Sequence, residues 1–310
     1  MLSILVLGSA AGGGFPQWNC NCENCRRVRA GDPTALARTQ SSVGVSADGE
    51  QWFLMNASPD LRQQIERTPR LHPHGGPRHS PIVGVVLTNA DVDHVAGLLT
   101  LREGQALSVY ATEQVHRVLA ANPIFGVLDR EAVARLALPI EQNIDLRLPC
   151  GGSAGMSVTA FAVPGKVALW LEDRTAGPDL ATTVEDTIGL KVTNLATGRT
   201  FFYIPGCAAI PADLAQRLAG APLVFFDGTT WTDDELSASG VGTKTGRRMG
   251  HMSMSGPDGS IVAFAKLGVR RRVFIHINNT NPVLLRDSPQ RRQVEAAGWE
   301  IAEDGLEIGL

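Results

Sequence analysis

The stretch PIVGVVLTNADVDHVAGL, residues 81–98, joins a short apolar run to a dense group of charged side chains. The run from 81 to 87 is rich in valine and isoleucine, which predicts a buried strand. Directly after it, Asp91, Asp93 and His94 fall within four residues. Carboxylate and imidazole groups bind metals, and loops at strand ends commonly carry functional residues. The stretch therefore predicts a metal site at the end of a buried strand.

Similar runs recur along the chain, and together they predict an α/β fold. Strand-like runs cover 2–8, 41–47, 51–57, 82–89, 107–112, 156–163, 187–194, 200–206, 222–228 and 272–278. Helix-like runs cover 58–66, 112–121, 129–137, 211–220 and 258–268. The early strands are joined by short turns, whereas the later ones alternate with helices. This mixture favours two packed sheets covered by helices over a regularly alternating nucleotide-binding sheet, and we expect one domain over residues 1–310.

Composition points to an ordinary soluble protein, with 44% apolar residues, 19% charged residues and a net charge of -3. The nearest approach to a basic cluster, Arg270 to Arg272, directly precedes an apolar strand, so no nucleic-acid partner is expected. No segment approaches the ~20 apolar residues that span a bilayer. The apolar N-terminus lacks the basic region of a signal peptide. We expect a cytoplasmic protein with no membrane partner.

Three of the five cysteines, Cys20, Cys22 and Cys25, form a C-x-C-x-x-C pattern. Such close spacing does not suit disulfide pairing, and a tight turn can direct three thiolates at one zinc ion. The fourth ligand must come from a distant segment, so the metal would join the N-terminal loop to the rest of the fold. An iron–sulfur cluster is the alternative, although it usually needs a fourth cysteine.

Candidate partners for Asp93 and His94 lie far along the chain. His276 is near the end of an apolar strand and is followed by a polar run that includes Asn278 and Asn279, which favours a site over a histidine packed in the core. His251 lies in a glycine-flanked loop. Asp227 closes another strand, where it either orients a ligand histidine or forms a turn.

These residues carry a resemblance to a known family. The segments LVLGSAAGGGFPQWNCNCENC, TNADVDHVAGLL, FFDGTTW, GVGTKTGRRMGHM and FIHINNTNP occur together in this order. The set resembles the coenzyme PQQ synthesis protein B family, a branch of the metallo-β-lactamase superfamily, over essentially the whole chain. The resemblance implies a four-layer αββα sandwich of two mixed sheets. It also implies a role in making the redox cofactor pyrroloquinoline quinone (PQQ) from a Glu–Tyr-containing peptide.

The resemblance also shows which metal ligands are missing. Dinuclear hydrolases of the superfamily use H-x-H-x-D-H, a middle histidine, a bridging aspartate and a late histidine. Asn89 and Asp91 replace the first two histidines, FAVPGK at 161–166 contains no histidine, and Cys207 stands near the expected bridging aspartate. One metal position has thus lost nearly all of its usual ligands, while the other keeps Asp93, His94 and His276.

For the cysteine cluster, the resemblance implies a fourth ligand near the end of the chain. Related cyclic phosphodiesterases carry a similar cluster and a late H-x-x-H, whose second histidine serves the structural zinc. Asn279 takes that place here. An amide oxygen is a weaker zinc ligand, and Asn279 is our prediction for the fourth one.

Two histidines and one carboxylate match the facial triad of non-heme iron(II) oxygenases, but the same ligand set also accepts zinc. The resemblance favours iron and implies hydroxylation of the tyrosine-derived ring of a cross-linked Glu–Tyr intermediate. The alternatives are a hydrolase with a single zinc and a non-enzymatic PQQ carrier. Candidate catalytic residues are Asp93, His94, His251 and His276, and candidate substrate-binding residues are Asn89, Asp91, Asp227 and Arg247. The expected partners are a small PQQ precursor, PQQ itself and other proteins of the pathway.

Overall fold

A computed structural model describes residues 1–168, 171 and 183–310. The strands within these ranges are β1 (Ser3–Gly8), β2 (Ser42–Ser46), β3 (Trp52–Met55), β4 (Ile82–Val86), β5 (Leu107–Ala111), β6 (Val133–Ala137), β7 (Asn143–Arg147), β8 (Ser153–Ala162), β9 (Ile188–Asn194), β10 (Thr200–Ile204), β11 (Leu223–Asp227), β12 (Arg271–Ile275), β13 (Glu300–Ile301) and β14 (Glu307–Gly309). The α-helices are α1 (Glu23–Arg29), α2 (Leu61–Arg67), α3 (Val92–Val95), α4 (Glu113–Ala121), α5 (Ala212–Leu218), α6 (Glu235–Ala238), α7 (Ser260–Phe264) and α8 (Pro289–Ala296). Short 3₁₀ helices cover Pro69–Leu71, Ala96–Leu101, Pro123–Val127, Arg247–Met249 and Pro282–Leu284.

The strands form two mixed sheets of seven strands each among the described residues. The first has the order β14-β1-β2-β3-β4-β5-β6, and β3 to β6 run parallel. The second has the order β13-β12-β11-β10-β9-β8-β7, and β10 to β13 run parallel. Each sheet thus combines hairpin connections with crossovers, as the short and long connections in the sequence predict.

Three apolar clusters hold the sheets and helices together as layers. The central cluster packs one sheet on the other, with Val43 and Phe53 facing Leu190 and Phe225. A second cluster packs the outer face of the second sheet against α5, α7 and α8, and a third packs the first sheet against α2 and α4. Removing this apolar surface from water is the main favourable term for folding. The predicted four-layer αββα sandwich is confirmed.

One predicted element is wrong, because residues 129–137 were expected to form a helix. The structure forms β6 over Val133–Ala137, paired in parallel with β5. The segment is rich in alanine and arginine, which favour helices, but intrinsic propensity is weak and an open sheet edge overrides it. The sequence reading also missed β7 and α8, whose residues are mostly polar and partly exposed.

Two expectations concern the chain as a whole. None of the helices described combines the length and apolarity that a bilayer-crossing helix needs. The assignment of residues 1–310 to one domain stays a prediction.

The fold brings four chain segments to one edge of the sandwich. The segments that follow β4, β11 and β12 leave the carboxyl ends of parallel strands, the usual place for sites in α/β proteins. The segment after β1 joins them, because Ala10 forms a bridge with Ile277. Side chains that are far apart in sequence therefore meet at this edge.

We predict that Leu190→Ala destabilises the protein by about 2–5 kcal/mol, because it removes buried methyl groups and leaves a cavity between the sheets. Leu190 is fully buried, whereas Leu195 is 44% exposed and provides the matched control. Leu195→Ala should stay within about 0.5 kcal/mol of the wild type. Urea unfolding measures both, and equal losses would contradict this account of the core.

Candidate metal centre

His94 and Asp93 are carried by the short helix α3, directly after β4. The Asp91 carbonyl accepts from the backbone N–H groups of His94 and Val95 and so begins the helix. The His94 carbonyl accepts in turn from Ala57 N–H. Gly97 allows the close approach behind it, since a Cβ at this position would lie 2.3 Å from the Ser58 carbonyl oxygen. Backbone contacts therefore fix both candidate ligands.

His276 lies directly after β12 in an unusual backbone conformation. Its φ is +60°, a left-handed conformation that costs free energy in a residue with a Cβ. The Thr229 hydroxyl contacts the His276 carbonyl oxygen at 2.9 Å and the ring Nδ1 at 2.8 Å. Ile277 N–H donates to the Ser9 carbonyl. The surroundings thus hold the ring in place despite the local strain.

The hydrogen bonds of the rings assign their tautomers. Asn89 Oδ1 can only accept, and it lies 2.7 Å from His94 Nδ1, so this nitrogen carries the proton. The Thr229 hydroxyl donates its single proton to Asp227 Oδ1 at 2.7 Å, so it accepts from His276 Nδ1. Each ring therefore keeps the lone pair of Nε2 available for a metal, as is usual for ligand histidines.

The remaining geometry fits a single metal ion. Asp93 Oδ2 lies 2.9 Å from His276 Nε2 and 3.8 Å from His94 Nε2, and one ligand atom from each residue falls within 4.8 Å of the others. Among the residues described, His94 Nε2 is buried without a hydrogen-bond partner. A buried polar atom without a partner is costly. A metal ion held by Asp93, His94 and His276 would satisfy it.

The pKa shifts of the three candidate ligands show the same complementarity. Burial lowers the pKa of His94 to about 4, which favours the neutral ring that a metal requires. Burial alone would raise the pKa of Asp93, but the charges of His94 and His276 hold it well below its usual range. Burial alone would lower the pKa of His276, yet its hydrogen bond to Asp93 raises it. The contact between His276 Nε2 and Asp93 Oδ2 thus favours a positive charge at Nε2, and a bound metal ion would supply that charge in place of a proton.

His251 and Asp227 form the wall beside His276. Asp227 Oδ2 accepts from His251 Nδ1 at 2.7 Å, and the His251 and His276 rings stack 5.2 Å apart. Asp227, His251 and His276 also form a second possible ligand group that shares His276. The Asp227 carboxylate is fully buried and also accepts from Cys207 N–H and Thr229 N–H. Asp227 therefore both orients His251 and closes a turn. It lies behind His251, and its contact with substrate stays a prediction.

A cavity of about 210 Å³ opens in front of the three candidate ligands. Asn89 and Asp91, which are predicted to bind substrate, line it. Lys166, Lys244 and Asn278 also line it. Lys166, four residues after β8, was missed as a candidate, and its Nζ lies 3.6 Å from Asp91 Oδ1. This ammonium stands in the segment where the resemblance implied a middle histidine.

A larger neighbouring cavity of about 630 Å³ shares His251 with the first. Arg247, predicted to bind substrate, lines this second cavity and is exposed. Its backbone N–H donates to Asp233 Oδ1. The structure therefore places Arg247 on the far side of His251 from the candidate metal ligands.

The cysteine cluster forms a second metal-binding arrangement near the first. The sulfur atoms of Cys20, Cys22 and Cys25 lie within 4.8 Å of one another. The Asn279 side-chain amide nitrogen lies 3.3 Å from Cys25 Sγ and 3.8 Å from Cys22 Sγ, so the predicted fourth ligand adjoins the cluster. Rotation of the amide exchanges its nitrogen and oxygen. Burial raises the pKa of Cys22 to about 12 without metal, and a bound zinc ion would stabilise the thiolates.

A chain of hydrogen bonds links Asn278 to a buried carboxyl group. Asn278 Nδ2 donates to Thr280 Oγ1 at 2.5 Å, and Thr280 Oγ1 donates to Glu235 Oε1 at 2.6 Å. Trp231 N–H donates to the other carboxylate oxygen. Burial raises the pKa of Glu235 to about 7, and these hydrogen bonds offset only part of that effect. The sequence reading did not single out Glu235, which has no distinctive neighbours in sequence.

Comparisons with known proteins agree with the fold and with the resemblance. The model of the beta-lactamase superfamily domain matches residues 51–277. Coenzyme PQQ synthesis protein B of Gluconacetobacter diazotrophicus is 57% identical over 310 residues, which cover 99% of each chain. The protein of the same name from Rhodopseudomonas palustris is 53% identical over the full length of both chains.

Solved structures show the same architecture. The crystal structure of Zn(2+)-bound PqqB from Methylobacterium extorquens is 50% identical, has a TM-score of 0.94 and covers 99% of this chain and 100% of its own. A diphosphatase of the PhnP family is 21% identical, with a TM-score of 0.67 over 100% of this chain and 98% of its own, which shows a shared fold.

We predict that each of the two ligand clusters binds about one zinc ion. Cys25→Ser should remove roughly one equivalent of zinc by weakening the thiolate cluster, and His276→Ala should remove the other. Atomic emission spectroscopy of protein reconstituted with zinc measures the content. Cys150→Ser changes an exposed cysteine outside the cluster and should lose none. If Cys25→Ser retains all of its zinc, the cysteine cluster is not a metal site.

We predict that Glu235 makes stability depend on pH. Its pKa is raised from 4.5 to about 7 in the folded state, so its contribution is fully present below pH 4.5 and is lost as the pH rises through 7. Glu235→Gln should match the wild type near pH 4 and exceed it by about 3 kcal/mol near pH 8. Urea unfolding at both pH values tests this, with Glu131→Gln as the exposed control. The same difference between wild type and Glu235→Gln at both pH values would contradict it.

Proposed function

The chain belongs to the coenzyme PQQ synthesis protein B family of the beta-lactamase superfamily, and we propose that it hydroxylates a PQQ precursor with a single iron ion. The role in PQQ biosynthesis follows from relatives that are 51–57% identical over almost their full length. The proposed substrate is the cross-linked Glu–Tyr intermediate, and the reaction adds oxygen to its tyrosine-derived ring.

The observation that carries the proposal is a ligand set suited to one ion only. Asp93, His94 and His276 offer two imidazole nitrogens and one carboxylate, and the assigned tautomers leave both Nε2 atoms available. Hydrolysis with two metals needs a second ion to stabilise the attacking and leaving oxygens. On the side where that ion would lie, the cavity has an amide, a carboxylate and an ammonium, from Asn89, Asp91 and Lys166.

Two histidines and a carboxylate, with the remaining positions open, suit non-heme iron(II). When bound, iron(II) supplies the redox chemistry with dioxygen that ring hydroxylation requires. One oxygen atom enters the ring and the other leaves as water, so each turnover also needs two electrons from an external reductant.

The chain's own residues orient the substrate and hold protons. His251 Nδ1 donates to Asp227, so its Nε2 can accept a proton or bind the metal as a further ligand. Lys244, which lines the cavity at the ligands, and Arg247, in the neighbouring cavity, suit substrate carboxylates through charge-assisted hydrogen bonds. The Asn278 amide is oriented by Thr280 and offers a neutral contact.

For the cysteine cluster we propose a structural zinc held by Cys20, Cys22, Cys25 and Asn279. Asn279 is three residues beyond His276, so a metal ion there would fix the segment that carries a ligand of the other site. The contacts between the Asn279 amide and the sulfurs support this assignment.

A zinc hydrolase is the second candidate, and the Zn(2+)-bound relative favours it. In this alternative one zinc ion at Asp93, His94 and His276 activates water for attack on a peptide or ester bond. The third hypothesis is a PQQ carrier, and PQQ binding by a carrier would need the cavity but not the metal. The small-molecule partners, further pathway proteins as partners, and the cytoplasmic location stay predictions.

We predict that protein loaded anaerobically with iron(II) consumes oxygen when the cross-linked Glu–Tyr compound and ascorbate are added. The substrate should gain the mass of one or two oxygen atoms. His276→Ala should lower the rate by at least about 100-fold, because it removes a metal ligand. His79→Ala, in an exposed loop, should retain it. An oxygen electrode and mass spectrometry provide the measurements.

Each alternative gives a different result. Cleavage of the substrate without oxygen, by zinc-loaded protein, would support the hydrolase. Tight PQQ binding that Asp93→Ala and His276→Ala leave unchanged would support the carrier. If iron binds while neither oxygen nor substrate changes, the oxygenase proposal is wrong for this compound.

A further inference from the structure

Two opposite charges face the same cavity beside the candidate metal ligands. Lys166 Nζ lies 3.6 Å from Asp91 Oδ1, and both residues line the 210 Å³ cavity with Asp93, His94 and His276. Both side chains are mostly buried, with exposures of 11% for Lys166 and 20% for Asp91. A pair this enclosed is partly removed from water, where charge–charge contacts are strengthened.

The position of each charge is fixed by the backbone. The Asp91 carbonyl begins helix α3, so its carboxylate is tied to the segment that carries His94. The Lys166 ammonium also donates to the Val167 carbonyl at 3.2 Å. Gly250, with φ of +87°, makes room for the Lys166 stem, because a Cβ there would lie 3.0 Å from Lys166 Cγ. These contacts therefore hold both charges at the wall of the cavity.

We propose that Asp91 and Lys166 together bind the zwitterionic head group of an α-amino acid, the carboxylate on Lys166 and the ammonium on Asp91. A ligand carboxylate on Lys166 and a ligand ammonium on Asp91 give four charges that alternate in sign, so each contact is attractive. The inference rests on the proposed function for the identity of the aromatic ring attached to the head group.

The pair also explains a preference between ligands. A zwitterion places a charge of opposite sign beside each member of the pair, whereas a ligand with a carboxylate and no ammonium adds a second negative charge near Asp91 and brings no positive charge. The precursor carries α-amino acid groups. The pair therefore favours a ligand end that keeps both its α-ammonium and its α-carboxylate group.

The size of the two cavities fits this assignment. At about 210 Å³ the cavity is smaller than the roughly 300–1,000 Å³ of pockets that enclose drug-sized ligands. It suits one amino acid unit with its ring directed at the metal ligands. The neighbouring 630 Å³ cavity, which shares His251, has room for the second unit of a cross-linked compound.

The experiment compares three ligands that differ only in the head group. L-tyrosine has both charges, 3-(4-hydroxyphenyl)propionate lacks the ammonium, and tyramine lacks the carboxylate. Ligand-detected NMR titrations use the full chain loaded with zinc, so neither iron nor oxygen takes part. We expect the wild type to bind L-tyrosine at least about tenfold more tightly than either truncated ligand, because a hydrogen bond between charged groups contributes about 1.5–3 kcal/mol.

The variants separate the two contacts. Lys166→Met should weaken L-tyrosine and the propionate about tenfold and leave tyramine unchanged. Asp91→Asn should weaken L-tyrosine and tyramine and leave the propionate unchanged or bound more tightly. Lys166→Arg should retain most of the affinity for L-tyrosine. Lys266→Met removes an exposed lysine elsewhere and is the matched control, which should bind all three ligands as the wild type does.

Several results would overturn the inference. The inference is wrong if the wild type does not prefer L-tyrosine or does not bind it detectably. It is also wrong if both variants lose the same affinity for all three ligands, because a purely structural ion pair would give that pattern. Zinc content and unfolding curves of each variant identify a loss of affinity that is caused by misfolding. If Lys166→Met misfolds, Lys166→Arg provides the test, because it should retain most of the affinity for L-tyrosine. If the binding pattern holds while the iron-loaded protein hydroxylates nothing, the head-group site stands and the proposed hydroxylation fails.

Discussion

Asp93 Oδ2 and His276 Nε2 lie 2.9 Å apart, although 183 residues separate them in the chain. Asp93 follows β4 of the first sheet and His276 follows β12 of the second, so this contact exists only because the two sheets pack face to face. The apolar cluster between the sheets supplies the free energy that holds the two strand ends together. The candidate metal centre is therefore a property of the sandwich as a whole.

The site contains a strained backbone and a buried charge, and favourable interactions elsewhere in the fold must offset their cost in free energy. His276 has a left-handed backbone, and Asp227 is a carboxylate with no exposed surface. Both meet at the Thr229 hydroxyl, which contacts Asp227, His276 and His251. One hydroxyl group thus sets the proton position of one ring and adjoins the second. Such satisfied networks hold side chains in one geometry, and metal binding and proton transfer depend on that geometry.

The cysteine cluster and the candidate metal centre are joined by a short segment of backbone. Asn279 is only three residues after His276, so one short segment carries a candidate ligand of the cysteine cluster and one of the metal centre. Asn278 lies between them and lines the cavity, while Thr280 and Glu235 hold it from behind. Motion of this segment would alter both sites, which gives a physical reason for the polar run that follows β12.

The chemistry of the ligands and the type of fold follow from the order of the residues alone. The cysteine spacing, the acids and histidine after β4, and His276 at a strand end are local features, and local features can be recognised without coordinates. The apolar period likewise predicted ten strands, whose positions the structure confirms to within a few residues. The helix expected at 129–137 failed because an unpaired sheet edge, a non-local feature, decided its conformation. The packing of remote segments sets which ring nitrogens carry protons. It also places Asp227 behind His251, Arg247 at a second cavity and Lys166 beside Asp91. Each of these depends on distances between segments that are remote in sequence, and residue types alone do not specify such distances.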